Sequence, residues 1–417
     1  MITRILFYSL AVQLTAFGAN WPQWRGSNHD GVSLETGLAT DWSDEKNVDW
    51  KLPLPGVGSG TPIVWEKQIF VITATDKGIA LMCIGTDGKA LWQRVISEDK
   101  GKGGRGEGNG ASPSPATDGQ RVYAVSGSGE YVAFDFAGKE IWRTNLQERY
   151  GKFRYDFGFH TTPLLHKGRL YLQLIHPGAA RVVSLDAASG KEVWSAERPS
   201  DGIAECRHSY ASVCLWSDGP KALLVSHGND YAIGHDLNDG REVWRVADLN
   251  PKTGYNRTLR FVASPVAVLG MIVIPSAKNR GVVALRPDAS GLIGKGGVGE
   301  IWRLDSGTPD VPSPVVYGSE VYLCRENGVL ICLDAKTGKQ HYSERTHNQK
   351  HRASPLAADG KIHLTASDGT VTVVKAGPKF EVLARNKMAD SITASPAVAN
   401  GKIYLRGHRH LFAIGAQ

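Results

Sequence analysis

Apolar and polar positions alternate along this chain over short runs, and glycine-bearing turns separate the runs. "IFVITAT" (69–75), "RVYAVSG" (121–127), "RLYLQLI" (169–175), "EVYLCR" (320–325) and "KIYLR" (402–406) are rich in β-branched and aromatic residues, which is the composition of strands. Between them a phrase recurs. "SLDAASGKEVW" (184–194) and "CLDAKTGKQHY" (332–342) run Leu, Asp, Ala, any residue, Ser or Thr, Gly, Lys, then a short strand with an aromatic at its end. Looser copies end at Trp92, Trp142, Trp244 and, after an enlarged loop, Trp302. Each predicts a β-hairpin, because the Asp carboxylate bonds backbone N–H groups two residues on and the Gly supplies the positive φ that closes the turn.

A second phrase is a small residue followed by Pro and an apolar run: "GTPIV" (60–64), "SPSPA" (112–116), "TTPLL" (161–165), "ASPVA" (263–267), "PSPVV" (312–316), "ASPLA" (353–357) and "ASPAV" (394–398). "SYASV" (209–213) holds the remaining slot without its Pro, which makes eight copies. Pro is tolerated at the first position of a strand, where the ladder needs no N–H. The unit is four strands, A to D, repeated about every 40–50 residues, the period of propeller blades. One four-stranded sheet cannot bury both of its apolar faces alone, and ring stacking does so. The last unit ends at Gln417 before a fourth strand, whereas "NVDWKL" (47–52) carries Trp50 where other D strands carry Trp. The expectation is an all-β, eight-bladed propeller of four-stranded antiparallel blades over 47–417, closed by the N-terminal strand, which removes two sheet edges. Six of the eleven Trp (50, 92, 142, 194, 244, 302) fall in the D-strand slot and read as packing between blades; Tyr342 and Leu383 take the slot in the sixth and seventh units.

Residues 1–18 stand apart. Arg4 precedes a short apolar run with small residues at a cleavage-site spacing, the pattern of a secretory signal peptide. Residues 19–46 form a lead-in segment. No Cys lies near the cleavage site and no other stretch is long and apolar enough to span a bilayer, so the expectation is an exported protein, periplasmic or extracellular, without a lipid anchor. A formal charge of +7 is mild for 417 residues and does not argue for nucleic acid. Cys83, Cys324 and Cys332 sit in apolar strand contexts, while Cys206 and Cys214 could bridge. There is no Cys-x-x-Cys-His, no zinc spacing and no Gly-x-Ser-x-Gly elbow, and no catalytic residue is assigned.

The D-to-A connections are long, roughly 93–112, 143–161, 195–209, 245–262 and 303–312. They share one face around the channel mouth, and long loops on a rigid scaffold are where binding usually lives. "GKGGRGEGNG" (101–110) lacks the Lys-Ser/Thr ending of a phosphate loop and reads as a flap. "ERYGKFRYDFGFH" (148–160) mixes cations with aromatics; Arg154 and Tyr155 could meet a sugar, a peptide or a planar ring, and the plainer reading packs the aromatics onto the blade rim. Residues ahead of strand A should ring the mouth, which makes His160, His208, Arg260, Asp310 and His351 the candidate site.

The Leu-Asp-Ala-x-Ser/Thr-Gly-Lys-x-x-Trp phrase at 185–194, its copy at 333–342 and the Ser-Pro starts resemble the PQQ repeat of quinoprotein-like β-propellers; "WPQWRGSNHDGVS" (21–33) also resembles the lead-in of secreted PQQ-like propellers. The resemblance implies the fold over about 47–417 and leaves function open. One branch, the quinoprotein dehydrogenases, implies PQQ and calcium over the channel, with a base Asp, acidic and amide calcium ligands and typically a vicinal Cys pair in the alcohol-dehydrogenase members. No two Cys are adjacent here, and the long insertions of those enzymes are absent. The other branch, the propeller of the outer-membrane assembly (Bam) machinery, implies a cofactor-free scaffold for protein partners, although its lipobox Cys is missing. The reading is a non-enzymatic scaffold that binds a protein partner in the cell envelope through the D–A loops. A PQQ-dependent oxidoreductase and a carbohydrate-binding or carbohydrate-active propeller are the alternatives.

Overall fold

The computed structural model describes residues 20–101, 108–277 and 280–416. The signal segment expected over 1–18 and most of the glycine-rich flap lie outside the described residues. Eight antiparallel blades surround an axis. In blade 1 the strands are Ile63–Trp65 (A), Gln68–Thr75 (B), Gly78–Gly85 (C) and Ala90–Ser97 (D). Blades 2 to 7 span 116–145, 164–197, 214–246, 266–304, 315–345 and 356–387. Blade 8 takes strands A to C from 397–415 and its D strand, Val48–Pro53, from the other end of the chain. That strand pairs antiparallel with His410–Gly415, with Trp50 opposite Ala413.

Two interactions repeat around the ring. The outer one uses the recurring hairpin phrase twice. Every C–D ladder shifts register at a bulge, and the residue just past the shift on strand D enters the gap between blades. At five junctions this residue is a Trp whose Nε1–H donates to a carbonyl of the next blade's C–D turn: Trp50 to Thr86, Trp92 to Phe136, Trp142 to Ala187, Trp194 to Leu237 and Trp302 to Ala335, at 2.8–3.0 Å. The indole lies over the glycine of that turn. A Cβ on Gly88, Gly138, Gly190, Gly240 or Gly338 would meet it at 2.6–2.9 Å. The glycine is therefore required by its positive φ and by the ring above it.

The other three junctions depart, each for a local reason. Trp244 is fully buried and its Nε1 has no partner, because the C–D connection of blade 5 is enlarged. That connection instead sends Gly291–Ile293 back as a fifth, parallel strand beside Trp244. Tyr342 packs on Phe380 with centroids 5.4 Å apart. In blade 7 the slot belongs to Ala384, opposite Val373, rather than to Leu383, which is 37% exposed. The bulge moves the slot by one residue, and blade 8 has no C–D turn for an indole to cover. The lead-in serves this junction: the Trp42 N–H donates to Asn386 Oδ1 at 3.0 Å, and the Trp42 indole stacks on His363.

The inner interaction explains the second phrase. The residue before each strand A proline slot carries a hydroxyl, and in seven of the eight blades that hydroxyl accepts the N–H of the matching residue in the preceding blade. The chain of bonds runs Thr61 to Ser114, Ser114 to Thr162, Thr162 to Ser212 and Ser212 to Ser264, at 2.9–3.0 Å. It continues from Ser264 to Ser313, Ser313 to Ser354 and Ser354 to Ser395 at the same lengths.

The lead-in closes one end of the channel. Trp21 exchanges two backbone bonds with Val64 of blade 1, the Pro22 carbonyl accepts from Thr117 of blade 2, and Gln23 accepts from the Leu165 N–H of blade 3. Arg25 donates to the Pro314 carbonyl of blade 6, Val32–Ser33 pairs parallel with Ala357–Ala358 of blade 7, and Glu35 accepts from the amides of Asn400 and Gly401 in blade 8. These contacts lie toward the A–B turns, opposite the long loops. All five Cys are buried and free, so Cys206 and Cys214 do not bridge.

Three outcomes follow from these junctions. Gly190→Ala adds a Cβ 2.7 Å from Trp142 at φ +67, while Gly168→Ala, at φ +73, meets nothing within 4 Å; denaturant titration should show a loss of about 1 kcal/mol for Gly168→Ala and a further ~1–3 kcal/mol for Gly190→Ala. Ser264→Ala strands the buried Ser212 N–H and should cost about 1–3 kcal/mol, whereas Ser264→Thr keeps the acceptor and most of the stability. Burial pushes His363 down to about 4 and His227 down to about 3. Both are neutral in the folded ring, and the unfolded chain takes up their protons below about 6.5. Their stabilisation is full above that pH and is lost as pH falls toward 4 and then 3. His363→Phe retains the stack on Trp42, so its Tm should fall less steeply than wild type between pH 6.5 and 4.

Candidate functional site

Strand A starts at the axis, and side chains alternate along the extended segment that leads into it. Counting back from the proline slot, the first and third positions face the channel in all eight blades. The first position is the hydroxyl tier. The third is Ser59, Ser112, Val262, Val311 or Thr393 in five blades, and His160, Tyr210 or Arg352 in the other three. Arg260 and Lys350, two residues further out, complete a cationic arc at the mouth, and His408 joins from the B–C turn of blade 8. Trp24, from the lead-in, lies at the far end. The result is a well of about 480 Å³, open toward the D–A loops.

The arc is held from behind by carboxylates. Arg260 lies between Glu205 at 3.6 Å and Asp310 at 4.0 Å, with its guanidinium 4.6 Å above the Phe157 ring. Arg352 bonds Glu326 at 3.1 Å. Burial, together with the neighbouring Asp310 carboxylate and against the pull of Arg352, raises Glu326 above the usual carboxylate range. The side chains of Arg260 and Arg352 are only 14% and 16% exposed, so their orientations are fixed before anything binds. Desolvation pushes Tyr210 up to about 12, and it stays a neutral donor.

Of the residues expected at the mouth, His160 and Arg260 line the well. Asp310 stands behind Arg260. His208 is buried, stacked on Tyr210 at 6.3 Å and bonded to the Arg154 carbonyl. His351 is fully buried, with Nδ1 on the Gln349 carbonyl; Arg352 beside it faces the channel. The aromatic loop packs onto the rim, as its plainer reading expected. Phe153, Tyr155 and Phe159 pack on one another and on His176, and the Tyr155 hydroxyl accepts the Ile175 N–H at 3.1 Å. Arg154 is exposed outside the well, and Phe157 is the loop's aromatic that lines it. Tyr210, Lys350, Arg352, His408, Trp24 and the hydroxyl tier escaped the sequence reading. For Tyr210, Arg352 and the hydroxyls a signal was there: steps of two back from each proline slot.

The dehydrogenase branch implies acidic and amide calcium ligands and a base Asp over the channel. Among the described residues the well is lined by one amide, Asn109, and by no carboxylate. Among the described residues no group of three or more His, Cys, Asp or Glu is placed to hold a metal ion. The donor set does not fit a calcium–quinone pair.

The PQQ_2 family model, described as outer membrane protein assembly factor BamB, matches residues 86–293 and 291–378. Outer membrane protein assembly factor BamB of Yersinia pestis is 20% identical over 339 residues, which are 81% of this chain and 79% of that protein. Quinohemoprotein alcohol dehydrogenase ADH IIB of Pseudomonas putida is 30% identical over 122 residues, only 28% of this chain and 16% of the enzyme. The crystal structure of BamB from Moraxella catarrhalis matches with a TM-score of 0.61 at 14% identity, covering 88% of this chain and 97% of that one. Quinohemoprotein alcohol dehydrogenase from Comamonas testosteroni matches with a TM-score of 0.73 at 13% identity, covering 95% and 81%. Both solved structures share the ring, and at these identities they establish the fold alone. The family model spans well over half of the chain, and the protein belongs to the PQQ-repeat propeller family of the outer membrane protein assembly factor BamB.

Proposed function

We propose that this protein is an exported, non-enzymatic scaffold that binds a protein partner of the cell envelope through its D–A loop face. The observation that carries the reading is the asymmetry of the channel. The lead-in stoppers one end with contacts to six blades, while the other end opens among the long loops as a well with fixed cations and, among the described residues, no lining carboxylate or thiol. Metal-assisted chemistry needs a ligand cluster, and among the described residues none is placed to hold a metal ion. The well offers hydrogen-bond donors instead, which suits recognition. Family membership and the relatives named as outer membrane assembly factors support a role beside other proteins at that membrane. Among the described residues no helix is long and apolar enough to cross a membrane.

Photo-crosslinking in the native envelope tests this reading. A crosslinker at Lys152 or at Ile203, on the D–A loops, should capture a discrete envelope protein; one at Lys67 or Gln120, on the opposite A–B turns, should not. Adducts from the A–B turns alone would overturn the assignment of the face. A stoichiometric spectral shift on adding PQQ and calcium, with dye-reducing activity, would overturn the non-enzymatic reading.

A further inference from the structure

The lead-in does not treat the eight blades alike. Its hydrogen bonds reach blades 1, 2, 3, 6, 7 and 8 on the A–B side, and among the described residues none reaches blade 4 or 5. The two blades left out are also irregular. Strand A of blade 4, Cys214–Asp218, is five residues long where the other seven are two or three. The C–D connection of blade 5 leaves at Arg286 and returns at Gly299, so no tight turn packs beneath Trp244. A groove of about 1110 Å³ lies in this sector, walled by the turns of blades 3, 4 and 5.

The groove combines apolar surface with unmatched positive charge. Leu223 and Val243 of blade 4 line it half-buried, and Leu269, at the A–B turn of blade 5, is 76% exposed. Some of its charges cancel locally: Arg286 pairs with Asp288 at 3.1 Å and Arg241 with Asp236 at 3.6 Å. Others do not. Arg169 donates to the Leu237 carbonyl at 2.9 Å, a neutral acceptor that leaves the guanidinium's charge uncompensated. Lys167 and Lys221 are exposed and make no ion pair among the described residues. Asp218 is the lining carboxylate left without a cation. Burial, with Lys167 beside it, lowers His166, which stays neutral at pH 7. Three unmatched cations against one unmatched carboxylate make the blade 3 and blade 4 side of the groove positive, and the exposed leucine stands on the blade 5 side.

We propose that this groove is a second docking surface, which takes an extended segment of a partner protein with carboxylates over Lys167, Arg169 and Lys221 and apolar side chains over Leu223, Val243 and Leu269. It goes beyond the D–A reading and does not depend on it. The lead-in shows how an extended segment binds this side of the ring: Trp21 exchanges two backbone bonds with Val64, and the Pro22 carbonyl accepts from Thr117. The lead-in occupies that side on six blades, and the sector it leaves carries the unmatched charge and the exposed leucine. Complementary charge selects the segment and speeds its encounter, while burying the apolar side chains supplies affinity. A basic segment would meet like charge, and a neutral one would desolvate the cations without pairing them. Lys67 and Gln120, on the turns of blades 1 and 2, lie outside the groove.

Panning a random dodecapeptide library on the whole protein tests the assignment, with Leu269→Asp and the double variant Lys167→Glu, Lys221→Glu as counter-targets. All three side chains are exposed, and an unchanged Tm shows that each variant keeps the ring. A set of clones should bind wild type and lose at least tenfold on both variants, and their sequences should join acidic to apolar residues. Synthetic copies of these peptides, followed by fluorescence anisotropy, should bind more weakly as NaCl is raised. They should bind Ile203→Asp, altered on the D–A face, as tightly as wild type. If no clone is lost on Leu269→Asp, the proposal is overturned. Lost clones that are basic or uncharged, or that tolerate reversal of the two lysines, overturn it as well. Self-association of the whole protein that Leu269→Asp abolishes would assign the groove to a second copy of the chain and overturn it too. Capture at Lys152 on the D–A face is independent of all these outcomes, so the scaffold reading survives the loss of this one.

Discussion

In seven of the eight blades the amide that precedes the innermost strand finds its acceptor in the next blade's hydroxyl rather than in its own sheet. A proline follows it in seven of the eight copies and can supply no N–H of its own, so this amide is the last donor before the strand begins. A buried amide without an acceptor is costly. The blades are therefore bound at the axis into one directional chain, and at the rim by indoles that cover their neighbours' turns. No blade satisfies both ends alone. The geometry of the well follows from the same constraint: the tier that holds the ring together is also the tier that lines its channel.

The lead-in turns this ring into an asymmetric object. A bare propeller has two mouths. Here the segment from Trp21 to Glu35 reaches six blades and leaves one mouth open. Trp42 completes the junction that the absent C–D turn of blade 8 leaves without a lock. The closed end and the open mouth of the channel are set by one short stretch that belongs to no blade.

The ring was legible in the sequence because its phrase repeats. The blade count, the closing strand at Trp50 and the docking role of the Trp slot could all be read from spacing, since each copy confirms the next. What could be read less well has local causes. Leu383 and Ala384 are neighbours, and only the bulge decides which faces the junction. The Pro of the second phrase drew attention, yet blade 4 lacks it and keeps Ser212, so the hydroxyl is the constant part. His351 chemically suits a site but falls off the two-residue step that points at the axis, whereas Tyr210 and Arg352 fall on it; His208 holds the same step as Arg260, yet its ring is buried against Tyr210 and bonded to the Arg154 carbonyl. The place of the lead-in was not legible, because it is a single copy with nothing to compare.

The pairing of Val48–Pro53 with His410–Gly415 joins segments from opposite ends of the chain. During synthesis the first strand of the ring is made early and must wait, unpaired, until nearly all the remaining chain exists. Its exposed edge is open in that interval to wrong partners, including copies of itself. Closure over so long a separation is also slow relative to the local hairpins. The lead-in cannot seat fully before blades 7 and 8 are present, so the floor of the well is the last part of the molecule to be built, and an unfinished ring has no well.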